Sequence, residues 1–173
     1  MSRSSSSFPA PAKCILHRIY GKCRRYVSRV YAESGPRLYR YALMILADHR
    51  DAEDVVQQVF TAVLTKGTAI EDGAAYFRTA VRNAAYSLLR QRRTARAGGA
   101  PRLEPIAPGG RAAQQAALEQ ALRSLPPEQR EVVHLHVYEG MTFREVAAAT
   151  GAPPNTVAAR YRYALEKLRM LLQ

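Results

Sequence analysis

Tryptophan is absent from the 173 residues, cysteine occurs twice, and 14 acidic side chains face 26 lysines and arginines. Two cysteines, Cys14 and Cys23, exclude a disulfide scaffold. With His17 between them their spacing matches no zinc pattern and finds no fourth ligand, so neither metal nor cofactor is expected. No apolar stretch approaches the roughly 20 residues of a membrane-spanning helix, and the Ser-rich residues 1–11 lack the apolar run of a secretory signal. The expectation is a cytoplasmic chain without membrane insertion. Alternating apolar runs and hairpin signals are missing, which points to an all-α fold. Catalytic motifs are missing too. His134 and His136 lie two apart on different helix faces, no phosphate-cradling loop or nucleophile elbow occurs, and the neighbours Glu53 and Asp54 point about 100° apart on a helix. No enzyme is expected.

What is present is positive charge. A formal net charge of +12 and a pI near 10.2 favour a polyanionic partner, nucleic acid before membrane surface, because a basic surface releases the counterions condensed on phosphates. At 47% hydrophobic, the chain can also bury real cores.

Periodicity divides it into a basic, flexible N-terminal extension (1–23), a helical domain (24–93), a linker (94–113) and a second helical domain (114–173). In the first domain, Tyr26, Val27, Val30 and Tyr31, then Leu38, Tyr41, Ala42, Ile45 and Leu46, read as two helices separated at Gly35 and Pro36. A third helix starts near Asp48 or Asp51, with Asp51, Glu53 and Asp54 in its first turn, where the macrodipole favours carboxylates. A fourth spans 76–93 and carries Arg78, Arg82, Arg90, Arg92 and Arg93 on one face with no acidic residue. Tyr76 and Phe77 on that helix suit either stacking on unpaired bases or a place in the core, with core favoured for Phe77.

Residues 94–110 are rich in glycine and proline. Beyond them come a helix ended by Pro126 and Pro127, one with Val132, Val133, Leu135 and Val137 ended at Gly140, one ended at Gly151, and a last helix from Pro154. The last has Val157, Tyr161, Ala164, Leu165 and Leu168 as its core face. The final two helices have helix-turn-helix dimensions, and the second leaves Asn155, Thr156, Ala159, Arg160 and Tyr163 on its free face. Asn and Arg make bidentate contacts to bases, and Thr offers a hydroxyl and a methyl. A plain helical hairpin gives the same periodicity; the charge tips the reading to DNA. The acidic cluster Asp48, Asp51, Glu53 and Asp54 would repel phosphates, so it caps a helix, meets a basic protein, or both.

PRLYRYALMILADHRDAEDVVQQVF resembles the start of region two of an extracytoplasmic-function (ECF) RNA polymerase sigma factor, and YFRTAVRNAAYSLLRQRR resembles its promoter-facing part. LEQALRSLPPEQREVVHLHVYEGMTFREVAAATGAPPNTVAARYRYALEKLR resembles region four almost throughout. The resemblance covers about residues 26–93 and 114–172 and implies a sigma region-two bundle and a region-four helix-turn-helix. It implies binding to core RNA polymerase and promoter DNA, with an anti-sigma factor as a further partner. By motif, Asp51, Glu53, Asp54 and Gln57 fall where the family docks on the polymerase clamp. Lys66, Tyr76, Arg78, Arg82, Asn83 and Arg90, with the 66–75 loop, fall where it captures the minus-ten element as single-stranded DNA. Asn155, Thr156, Arg160 and Arg162 fall where it reads the minus-thirty-five duplex. The chain departs from the family at Tyr76, usually Trp, at Ser87, usually Asp, and at Ala158 and Ala159, usually Lys-Ser; Glu is also common at Gln58.

Overall fold

The structure is a computed structural model and describes residues 10–66, 73–95 and 111–172, with side-chain surroundings over 25–66, 73–94 and 113–172. Cys14, His17 and Cys23 have side chains outside that set, and the loop and linker expected at 66–75 and 94–113 fall largely outside the described residues. Among the described residues every regular element is helical, and no helix is long and apolar enough to cross a membrane.

Helix α1 (Ala10–Leu46) is continuous where the sequence suggested two helices and an extension to residue 23. Pro36 lies inside it. Proline in a helix interior removes one hydrogen bond at a cost of ~3 kcal/mol or more. Val27, Val30, Leu38, Tyr41, Ala42, Ile45 and Leu46 are buried along the same helix. At about 1.5–3 kcal/mol for each fully buried large apolar side chain, that burial outweighs the local break.

Helix α2 (His49–Lys66) begins as expected on Asp48, whose Oδ1 accepts from the backbone N–H of Arg50 at 2.9 Å and of Asp51 at 3.1 Å. Chiefly the bond from Asp51 holds the Asp48 carboxyl below its ordinary range. The α2 stripe Val55, Val56, Val59, Phe60 and Val63 packs inward, and Phe60 stacks on Phe77 of α3 (Gly73–Ala95) at 4.2 Å and 13°. Phe77 is thus core. Helix α3 starts against α1 so closely that a Cβ on Gly73 would collide with the Tyr26 hydroxyl.

The second half holds α4 (Arg111–Ser124), α5 (Pro127–Val133), α6 (Phe143–Thr150) and α7 (Pro154–Leu171). Helix α5 continues into a π-helical turn (His134–Tyr138) that the sequence did not signal. The wide turn keeps Leu135 buried but leaves Val137, one of the apolar residues of that helix, 56% exposed. Thr142 and Glu145 form a capping box at the start of α6, and Gly151 ends it at φ +70°. On α7, Val157, Ala164 and Leu168 are buried, whereas Leu165, expected in the core, is 40% exposed. It sits one position, about 100° of helix rotation, past the contact at Ala164.

The two halves pack together. Val132, Leu135, Val146, Ala147 and Val157 belong to the same apolar cluster as the buried residues of α1, α2 and α3. A second cluster of Ala121, Leu122, Leu125, Val133, Ala164 and Leu168 receives Met44 from α1.

Candidate nucleic-acid interface

The four acidic or amide residues singled out on α2 divide between its two sides. Glu53, Asp54 and Gln57 are exposed, and Gln57 Nε2 donates to Glu53 Oε1 at 3.2 Å. Glu53 and Gln57 line a groove of about 450 Å³ with Tyr31, Pro36, Tyr39 and Val56, a shallow apolar floor with a polar rim. Asp51 is buried and paired with Arg92 of α3, whose Nη2 donates to Oδ1 at 2.6 Å. Asp51 therefore ties the first turn of α2 to the last turns of α3.

On α3, Tyr76 is 43% exposed and lies at right angles to the Phe77 ring with centroids 5.7 Å apart, so core packing holds its ring while part of it stays accessible. Asn83, Arg90 and Lys66 are exposed. The arginines on the face that the sequence places together do not share one environment. Besides the tie of Arg92 to Asp51, Arg78 donates to Met141 Sδ at 3.6 Å, and Arg82 donates to Glu131 through Nε at 2.7 Å and Nη2 at 3.3 Å. For Arg78 and Arg82 the physical reason is the packing of the second half, which brings acceptors onto that face, whereas the partner of Arg92 comes from α2.

On α7, Asn155 and Arg162 are exposed, the latter 5.1 Å from the Tyr163 ring centre, while Thr156 and Arg160 are half-buried. Thr156 and Arg160 share a cleft of about 510 Å³ with Arg82, Asn83 and Arg90, where Glu128 is the one acidic lining residue. The α3 and α7 residues assigned to two different DNA elements thus face one space.

Sequence reasoning passed over Arg130 and Glu131, and weighed His134 only as a catalytic candidate. Glu131 is fully buried and accepts from the Tyr41 hydroxyl at 2.5 Å, the Tyr86 hydroxyl at 2.8 Å and the Arg82 guanidinium. Burial first, then the carboxylate's charge, pushes both phenols far above their ordinary range. Burial works against the charge on Arg82, but the bond and charge of Glu131 outweigh it and hold that proton more firmly. Arg130 donates to the carbonyls of Met44 at 2.6 Å, Ile45 at 2.9 Å and Arg123 at 2.7 Å, closing the C-terminus of α1 from another element. One signal was available: two charges directly before the apolar run VVHLHV.

His134 lies between the rings of Tyr41 at 5.8 Å and Tyr138 at 5.6 Å, with both ring nitrogens buried and without a hydrogen-bond partner. Glu139 Oε1 is 3.7 Å away, and Glu139 is itself ion-paired with Arg37. Burial is the main cause that pushes this imidazole below its ordinary value; Glu139 opposes the shift, Arg40 and Arg37 add to it, and Glu131 opposes it. An unfolded histidine titrates near ~6.5. Below that pH the unfolded chain binds the proton more readily than the folded one, so the stability due to neutral His134 is complete above it and declines as pH falls. The urea midpoint should drop between pH 7.5 and 5.5, and His134→Phe should flatten that slope.

Residues 30–95 match the family model Sigma-70 region 2, and residues 115–168 match Sigma-70, region 4. The ECF RNA polymerase sigma factor SigL of Mycobacterium tuberculosis is 30% identical over 157 residues, covering 83% of this chain and 87% of that protein. The RNA polymerase sigma factor CarQ of Myxococcus xanthus is 30% identical over 152 residues, with the same coverage of 83% and 87%. The fold is similar to that of the sigma factor RpoE in complex with the anti-sigma factor NepR from Bartonella quintana, with a TM-score of 0.67, 25% identity, and coverage of 84% of this chain and 95% of that one. With both family models matched in order and relatives covered along most of their length, this chain belongs to the ECF RNA polymerase sigma factors of the sigma-70 family.

Proposed function

We propose that the chain does its family's work, binding core RNA polymerase and directing transcription initiation at a promoter, through three surfaces on two units spanning 24–93 and 114–173. Like its family it is an initiation factor and no enzyme: the polymerase makes the bonds. The exposed rim Glu53, Asp54 and Gln57 docks on the polymerase clamp, while Asp51 braces α2 from within through Arg92. Tyr76 and the Lys66, Arg78, Arg82, Asn83 and Arg90 set capture the minus-ten element as a single strand, one base stacking on the accessible part of the Tyr76 ring. Helix α7 enters the major groove over the minus-thirty-five element with Asn155, Thr156, Arg160 and Arg162. An anti-sigma factor is a further partner, as NepR is for the solved RpoE relative.

The observation that carries this reading is the sequence of a capped α6, the left-handed Gly151 and the Pro153–Pro154 start of α7. That turn supports a helix-turn-helix whose second helix offers its first turns to DNA, on a chain of net charge +12. Early residues of such a helix reach base edges while later turns leave the groove. Arg160→Ala should therefore weaken binding to the minus-thirty-five duplex by about 1–3 kcal/mol and relax base preference there. Arg169→Ala, two and a half turns on, should have little effect. Holoenzyme binding to single-base promoter variants is the measurement, and the opposite ranking of the two substitutions would remove α7 from the groove.

A further inference from the structure

A cavity of about 180 Å³ lies where α1, α3 and the π-helical turn meet. It is smaller than the ~300 Å³ at which pockets for drug-sized ligands begin, so it suits a molecule of one ring or less. Leu38 and Leu135 supply apolar wall, and its charges are uneven: the guanidinium groups of Arg37 and Arg78 face the single carboxylate of Glu139. Glu139 Oε2 is taken by Arg37. Among the described residues, the acceptor that Arg78 finds is the Met141 thioether at 3.6 Å, a weak one. Paired guanidinium groups beside apolar wall are the recognition set for a small organic carboxylate, whose planar anion matches their fork of donors.

His134 gives the same cavity a second property. Both its ring nitrogens are buried without a hydrogen-bond partner, and Nε2 lies 3.7 Å from Glu139 Oε1, the oxygen not bonded to Arg37. Burial, then Arg40 and Arg37 of α1, oppose a charge on this ring; Glu139 and, from α5, Glu131 favour one. Tyr41 and Tyr138 cover its two faces, and Arg78 of α3 lines the cavity beside it. While Arg37 neutralises Glu139, the imidazole stays neutral. A ligand carboxylate on Arg37 would leave Glu139 as a full negative charge against His134, and an opposite charge at that range favours the protonated form.

We infer that this cavity binds a small organic carboxylate on Arg37 and Arg78, and that binding hands Glu139 over to His134, which takes a proton from solvent, so that ligand and proton enter together. The inference stands apart from the promoter readings, except that a ligand on Arg78 withdraws that cation from the minus-ten set.

Benzoate is the probe, because a carboxylic acid titrating near ~4 stays ionised across the range tested. Titration of the full chain, followed by amide chemical shifts, should give a Kd of about 1 mM or tighter at pH 6.0 and one at least ~threefold weaker at pH 7.5. At pH 6.5 the His134 Hε1 resonance, identified by its loss in His134→Phe, should move toward the imidazolium position as benzoate is added. Arg37→Met, in a side chain 61% exposed and so of little weight in the fold, should weaken binding about tenfold. His134→Phe should bind benzoate with no dependence on pH, and Glu139→Gln should do the same by an independent route if the first variant does not fold. Absence of saturable binding would overturn the inference. Equal binding by the parent and Arg37→Met would overturn it too, since benzoate would then sit elsewhere on the basic surface. So would binding by the parent that ignores pH, or a pH dependence that survives in the folded His134 and Glu139 variants.

Discussion

Glu53→Arg combined with Asp54→Arg should abolish capture of core RNA polymerase while leaving the chain folded. Both carboxylates are exposed on α2, so reversing them leaves no orphaned buried group. Beside Glu53, Tyr31, Pro36, Tyr39 and Val56 form the apolar floor of a groove, which a docking partner would dehydrate. In a dehydrated contact, truncating one member of a charge pair costs about 2–5 kcal/mol, and reversal adds repulsion to that loss. At 1.4 kcal/mol per tenfold, the double reversal amounts to at least a hundredfold loss of affinity. Pull-down on immobilised core enzyme, with urea unfolding as the stability control, decides the matter; retention of wild-type capture would place the polymerase contact elsewhere. Asp51→Arg is a poor substitute for this test. It puts a second cation beside Arg92 in a buried site and unfolds the α2–α3 junction instead of probing a surface.

The second large effect belongs to Tyr76. Its ring is held at right angles to Phe77, which in turn stacks on Phe60, so the exposed part is presented by the core and does not have to be ordered on binding. Base–aromatic stacking contributes about 1–3 kcal/mol per base. Tyr76→Ala should lower the population of melted promoter by roughly 5- to 150-fold, with little change in polymerase capture. Tyr76→Trp, the residue usual in the family, should retain or increase it. Permanganate reactivity of unpaired thymines in the minus-ten region reads the melted population. Equal reactivity for the parent and Tyr76→Ala would exclude this ring as a stacking platform.

These sites were unequally legible in the sequence. The helix-turn-helix could be read because its signals are local: two short apolar periodicities, a glycine at the turn and a proline at the next helix start. The α2 cap at Asp48 was readable for the same reason. Pro36 misled because its cost is local and the compensating burial comes from helices α2 and α3, distant in sequence. The π-helical turn left no mark on the periodicity. The arginine face of α3 was legible as charge but not as partnership. Arg82 and Glu131 are 49 residues apart, and Arg92 and Asp51 are 41 apart; nothing in spacing alone says which carboxylate meets which guanidinium. Glu131 was hidden in a motif whose sequence was informative about family and silent about contact.

The apolar cluster shared by the two halves has a thermal consequence. Parting them exposes some of the surface that Val132, Leu135, Val146 and Val157 now share with α1–α3. Such exposure raises the heat capacity, so the free energy of closure is curved in temperature and, near 25 °C, is driven mainly by the entropy of released water. Cooling weakens that drive while leaving the ionic grip at Glu131 comparatively intact. Chilling therefore loosens the greasy part of the packing first and shifts the burden onto the ion pairs of Glu131 with Arg82 and of Glu139 with Arg37.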